Sequence, residues 1–131
     1  MKIKVLLLFA AALILFGCNS AMVVNGKVMG VSSGKFIYQD GYLTTQYKAD
    51  IEQVWKACTK TVTELKGRNI EKERNISSGS ITTSIADETV TIRMEYVDKD
   101  VTSVSVFSGL TGNNIASKLI QDKIAANIAK P

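Results

Sequence analysis

The chain has 131 residues, of which 46% are hydrophobic and 21% charged. That is the size and make-up of one folded domain, and it excludes a compositionally disordered protein. The formal net charge of +4 includes Lys2 and Lys4 of the N-terminal run, and without them 14 basic residues face 12 acidic ones, too even a balance for a nucleic-acid binder.

Histidine is absent, which removes the commonest general base and metal ligand. Lys2 and Lys4 lead into an unbroken apolar run over residues 5–16. Its 12 residues fall short of the roughly 20 that a membrane-spanning helix needs, and they fit the apolar region of a secretory signal. The run ends on Leu15-Phe16-Gly17-Cys18, which resembles a bacterial lipobox: a branched apolar residue, a variable one, a small one, then cysteine. The resemblance implies cleavage between Gly17 and Cys18 and acylation of Cys18. One acyl chain holds a protein to a bilayer only marginally, and two or more hold it stably. Residue 19 is Asn rather than Asp. In a Gram-negative host the resemblance then points to the outer membrane, with the domain facing the periplasm. In a Gram-positive host it points to the outer face of the cell membrane. The alternative is an ordinary signal or short membrane anchor, with Cys18 incidental.

The chain has two cysteines. If Cys18 carries lipid, Cys58 is left without an intramolecular disulfide partner. A nucleophilic Cys58 would need an activating base, and there is no histidine. Its place on the apolar side of a helical pattern predicts a small buried side chain instead.

The segment 18–40 is expected to be the lipidated cysteine followed by a glycine-containing tether. Gly26, Gly30 and Gly34 recur every fourth residue, but Lys27, Ser32 and Ser33 between them are polar. Flexible spacer or irregular strand fits better than a packed helix. Asn25-Gly26 between Val23-Val24 and Lys27-Val28-Met29 also fits a tight hairpin turn.

The domain proper is expected over 41–131. Residues 41–49 alternate as a strand, with Leu43, Thr45 and Tyr47 on one face and Tyr42, Thr44 and Gln46 on the other. Asp50 then suits a helix N-cap, with Gln53 at the capping-box position. Ile51, Val54, Trp55, Cys58, Val62 and Leu65 follow at helical spacing, and Gly67 suits a left-handed helix end. Four strands are predicted next. Residues 69–75 carry charge on both faces, as a protected edge does. Residues 80–86 put Ile81, Thr83 and Ile85 inward. Residues 89–97 put Val90, Ile92, Met94 and Tyr96 inward, and 101–108 put Thr102, Val104 and Val106 inward. Turns at 77–79, 87–88 and 98–100 are short enough to imply an antiparallel meander. Asn113 or Asn114 can cap a second helix, whose apolar side would be Ala116, Leu119, Ile120, Ile124 and Ile128.

The expected fold class is therefore α+β. An antiparallel sheet of about five strands carries two helices on one face, in the order β-α-β-β-β-β-α, after the signal peptide (1–17) and the tether (18–40). The other sheet face is left open. Alternation places Tyr42, Phe107 and Arg93 on that open face, among Thr44, Thr82, Thr91 and Ser105.

From Gly41 onward the chain resembles a family of small bacterial lipoproteins classified only as domain-of-unknown-function family 3568. The resemblance is carried by Gly41-Tyr42-Leu43-Thr44, by Ala49-Asp50 with Val54-Trp55-Lys56-Ala57, by Ser78-Gly79-Ser80-Ile81, and by Val90-Thr91-Ile92-Arg93. It continues through Thr102-Ser103-Val104-Ser105-Val106, Gly109, Gly112 and Ser117-Lys118-Leu119-Ile120. It implies an envelope lipoprotein and supplies no catalytic residue.

The sequence offers no catalytic set and no cofactor or metal motif. Glu71/Glu73 reads as a solvated strand edge, while Asp87-Glu88 and Asp98/Asp100 fall in turns; catalytic carboxylates need a cleft. "GSITTS" and "GLTGNN" lack the lysine of a phosphate loop. Gly112-Asn113-Asn114 could bind an anion through free N–H groups, but capping is the simpler use. The leading expectation is a non-catalytic, lipid-anchored interaction or structural module. Its partners would be the membrane, through the lipid on Cys18, and another envelope protein at the face of Tyr42, Phe107 and Arg93. The second reading is a carrier or sensor of a small apolar ligand held between helices and sheet.

Overall fold

A computed structural model describes residues 35–130. The apolar run, Cys18 and the Asn25-Gly26 turn lie outside the described residues. The described chain is α+β. Strands β1 (Ile37–Gln39) and β2 (Tyr42–Tyr47) precede helix α1 (Ile51–Glu64). Strands β3 (Arg68–Arg74), β4 (Ser78–Ile85), β5 (Glu88–Asp98) and β6 (Val101–Ser108) follow, then helix α2 (Asn114–Ala129). The six strands form one sheet in the order β1-β2-β6-β5-β4-β3, every neighbour antiparallel. The expected meander is present as β3 to β6, and it folds back so that β6 lies beside β2.

The sixth strand is β1, which falls inside the segment expected as tether. Asp40 and Gly41 make its two-residue turn with φ of 54° and 82°, the left-handed pair that a tight hairpin between right-twisted strands requires. Only three residues of β1 pair with β2, too few for alternation to announce a strand.

Asp50 caps α1 as expected, accepting the Gln53 N–H at 2.8 Å. Gln53 does not complete a capping box; its side-chain amide donates to the Ile128 carbonyl at 3.3 Å. At the other end the left-handed residue is Lys66, with φ 59°, and not Gly67. The Lys66 N–H donates to Thr63 and the Gly67 N–H to Val62, closing a Schellman motif. Gly67 is needed for close approach instead: a Cβ there would lie 2.6 Å from Thr83 Oγ1 and 2.7 Å from Val62 Cγ1.

The core lies between the sheet and the two helices. α1 buries Ile51, Val54, Ala57, Cys58, Thr61 and Val62. They meet Tyr47, Ile81, Ile92, Met94, Val104 and Val106 from the sheet. Trp55, expected at the centre of the apolar stripe, is only partly buried at its edge. It packs over Gly79 and under the Arg74 guanidinium, 5.7 Å from the ring centroid. Tyr96 also departs from expectation. It sits in the inward register yet is half exposed, because β5 runs past the helices and bulges between Tyr96 and Asp98.

α2 keeps Ile120, Ile124 and Ile128 of its predicted face buried and adds polar residues to it. It buries Ser117, Ile120, Gln121, Ile124, Ala125, Asn127 and Ile128, while Leu119 points to solvent. The buried polar members are satisfied. Gln121 donates to the carbonyls of Leu43 and Val104, both at 2.9 Å, and accepts from the Tyr47 hydroxyl. Asn127 donates to Thr61 and Glu64.

Candidate functional site

The sheet face that carries no helix is built from the outward members of β2 and β4 to β6. The register aligns Tyr42, Phe107, Thr91 and Thr82 in one row across neighbouring strands. The next row runs through Thr44, Ser105, Arg93 and Ser80. Antiparallel pairing puts side chains in a row about 5 Å apart, close enough to touch.

This geometry brings together the three residues that alternation placed on the open face. The Tyr42 and Phe107 rings lie 5.0 Å apart between centroids at an interplanar angle of 58°, a tilted aromatic contact. The Arg93 guanidinium carbon sits 4.9 Å from the Tyr42 ring centroid, within cation–π range. Phe107 also lies across the turn glycine, since a Cβ on Gly41 would come within 2.2 Å of its ring. The hairpin turn therefore has to be glycine both for its φ and for the room that Phe107 takes.

Hydroxyls surround the cluster. Thr44 and Ser105 share a 2.7 Å hydrogen bond across the strands. Beside Arg93, a shallow depression of about 250 Å³ is lined by Glu73, Asn75, Ser78, Ser80 and Glu95 among others. The patch thus offers two aromatic rings, one cation, several hydroxyls and two flanking carboxylates. Sequence reasoning did not bring Glu73 or Glu95 into this patch. Glu73's signal was the pairing register, Ser80 with Arg93 and Glu73 with Ser80, while simple alternation along β5 already puts Glu95 on the side of Arg93.

The other sequence candidates are dispersed. Asp87 is ion-paired with Arg68 at 2.8 Å on the surface. Asp98 accepts from the Lys99 N–H in the β5–β6 turn. Glu71 and Glu73 are exposed on edge strand β3. Asn113 caps α2, accepting from the Ala116 N–H at 3.1 Å. Cys58 is fully buried, and burial alone pushes its thiol well above the ordinary range. That disfavours the thiolate a nucleophile needs.

Two clefts lie on the helical side. One of about 340 Å³, between the start of α1 and the end of α2, is lined by Asp50, Glu52, Lys56, Lys60, Asn127 and Lys130 among others. Its charges are mixed. The other lies between β1 and α2 and is mostly apolar. Among the described residues no group of three or more acidic, histidine or cysteine side chains is placed to hold a metal ion. No helix among them is long and apolar enough to cross a membrane.

No curated protein matches the chain in sequence. A family model does match, over residues 2–127, and its description is "Protein of unknown function (DUF3568)". With nearly the whole chain covered, the protein belongs to this family.

Proposed function

We propose that this protein is a non-catalytic module of the bacterial envelope. Acyl chains on Cys18 hold it to its membrane, and it docks another envelope protein on the helix-free face of its sheet. The convergence of Tyr42, Phe107 and Arg93 on that face carries the docking part. Aromatic and arginine side chains are the usual anchors of an interface; Tyr and Phe cover much area at small cost in side-chain entropy, and Arg adds a charged, planar group that stacks on them. The anchoring part is supported by the apolar run and the Leu15-Phe16-Gly17-Cys18 motif. Asn19 after the cysteine favours an outer-membrane address facing the periplasm over inner-membrane retention.

Docking is preferred over carriage of an apolar ligand between helices and sheet. That interface is filled by Val54, Ile81, Ile92, Met94 and Ile124, all fully buried. A ligand there would have to displace core side chains, and the apolar groove between β1 and α2 is a shallow surface feature rather than an enclosed cavity. In-cell photo-crosslinking tests the reading. A crosslinking residue at Ser105, at the centre of the patch, should give a discrete protein adduct that the same residue at Lys56 on α1 does not. Identical patterns from both positions would contradict it.

A further inference from the structure

On the helical side of the sheet, β1 and the start of α2 enclose a shallow apolar groove of about 460 Å³. Phe36, Tyr38 and Leu43 form one wall, and Ile115, Lys118 and Leu119 the other. Its rim projects into solvent: Ile115 is 76% exposed and Leu119 66%. They stand one turn apart on α2, outside the buried stripe of Ser117, Ile120, Gln121 and Ile124. Leu110, 97% exposed, belongs to the loop between β6 and α2. Tyr38 ties that loop down, its hydroxyl donating to the Gly112 carbonyl at 2.6 Å. Single exposed apolar residues are ordinary, but a cluster around one groove marks a contact surface.

Three observations select the occupant. First, side chains exposed by two thirds or more stand above the groove, so a small molecule within it would leave them wet. A broad apolar layer covers them. Second, the rim is amphipathic. Lys118 lays its ammonium 4.7 Å from the Phe36 ring centroid, and Tyr38 presents a ring with a polar tip. Such side chains suit the boundary between hydrocarbon and headgroups. Third, the chain enters the described domain at Lys35, next to Phe36 and 17 residues after Cys18. That length reaches at most about 60 Å. The anchor is thus tied to the groove edge of the sheet, and β3 is the strand farthest from it.

We propose that this rim and the loop that Tyr38 holds beside it form a lipid-contacting surface: Ile115 and Leu119 of the rim and Leu110 of the loop enter the headgroup–acyl boundary of a phospholipid bilayer, with Tyr38 and Lys118 at headgroup level. It rests on the anchored reading above and adds the orientation. Because the groove and the Tyr42–Phe107 patch are on opposite faces of the sheet, lipid contact leaves the patch free for a protein.

The test uses the full mature chain on vesicles of phosphatidylethanolamine and phosphatidylglycerol. The vesicles are doped with a phospholipid bearing a diazirine on its acyl chain, and adducts are mapped by mass spectrometry. Intact mass of the same sample reads acylation of Cys18. If Cys18 is not acylated, it is coupled to a maleimide lipid, so the anchor reading can fail while the surface is still tested. Photo-adducts should concentrate on Leu110, Ile115 and Leu119 at least five-fold over β3. Changing all three to Ser should abolish that excess while the thermal melt stays within a few degrees. Adducts spread evenly over β3 and α2, or absent from residues 110–119, overturn the proposal. So does an apolar small molecule found in the groove with no lipid adducts at the rim.

Discussion

The Tyr47 hydroxyl donates to Gln121 Oε1 at 2.7 Å, joining β2 to α2 across 74 residues of sequence inside the core. Both side chains are fully buried. The Gln121 amide continues the network to the main chains of β2 and β6. A buried polar group left without its partner costs about 1–3 kcal/mol. Gln121→Leu, which strips two carbonyls of a donor, should lose about 2–3 kcal/mol in urea denaturation. Tyr47→Phe should lose about 1–2 kcal/mol. The double variant should lose clearly less than the sum, since the residues share one network.

The same residue and Cys58 make the fold sensitive to alkali. Burial, reinforced by nearby Cys58 and Asp122, drives the Tyr47 phenol far above its ordinary 10.0, and burial raises the Cys58 thiol from 9.0. Both are neutral acids in the fold and ionise first in the unfolded chain. Their stabilisation is fully present below those ordinary values and falls as pH rises through and beyond them. Each group can remove up to about 1.4 kcal/mol per pH unit once its unfolded value is passed. Denaturation at pH 7 and pH 10.5 should show a clear loss. Tyr47→Phe and Cys58→Ala should each reduce that loss.

Trp55 and Gly79 make a second coupled pair. A Cβ at Gly79 would lie 2.9 Å from two Trp55 ring carbons. Gly79→Ala should therefore cost roughly 1–3 kcal/mol by overpacking, and much of that cost should vanish in a Trp55→Ala background. Trp55→Ala alone should cost about 2 kcal/mol, below the ~3–5 kcal/mol of a fully buried aromatic, because the ring sits at the core's edge. Denaturant melts of the four proteins decide the matter.

These pairs also show where the sequence was legible. α1 was readable because Asp50, Ile51, Val54, Cys58 and Val62 put the cap and the apolar stripe in one register. α2 was readable only in part: Asn113 caps it and Ile120, Ile124 and Ile128 are buried as expected, but Leu119 of the expected stripe lies outside and Ser117, Gln121 and Asn127 are buried polar residues. Only the partners Tyr47, Ser108 and Thr61 make those polar positions intelligible, and they come from elements distant in sequence. Alternation placed Tyr42, Phe107 and Arg93 on one face. Glu95 shares that face by the same alternation, whereas the flanking Glu73 depended on strand register, which packing sets.

Cys18→Ser should leave an unlipidated, uncleaved precursor. Metabolic labelling with an alkyne fatty acid checks this, together with the intact mass of the chain. Label incorporation equal to wild type would remove the anchor from the account.

The docking face is tested most directly by Tyr42→Ser/Phe107→Ser, compared with the unaltered protein for both stability and in-cell crosslinks from Ser105. The two rings are partly exposed and outside the core, so the variant should still fold cooperatively with a modestly lowered melt. It should lose the crosslinked partner at least ten-fold, and Arg93→Ala should weaken the same adduct. A folded double variant that keeps every crosslink at wild-type intensity would contradict the account.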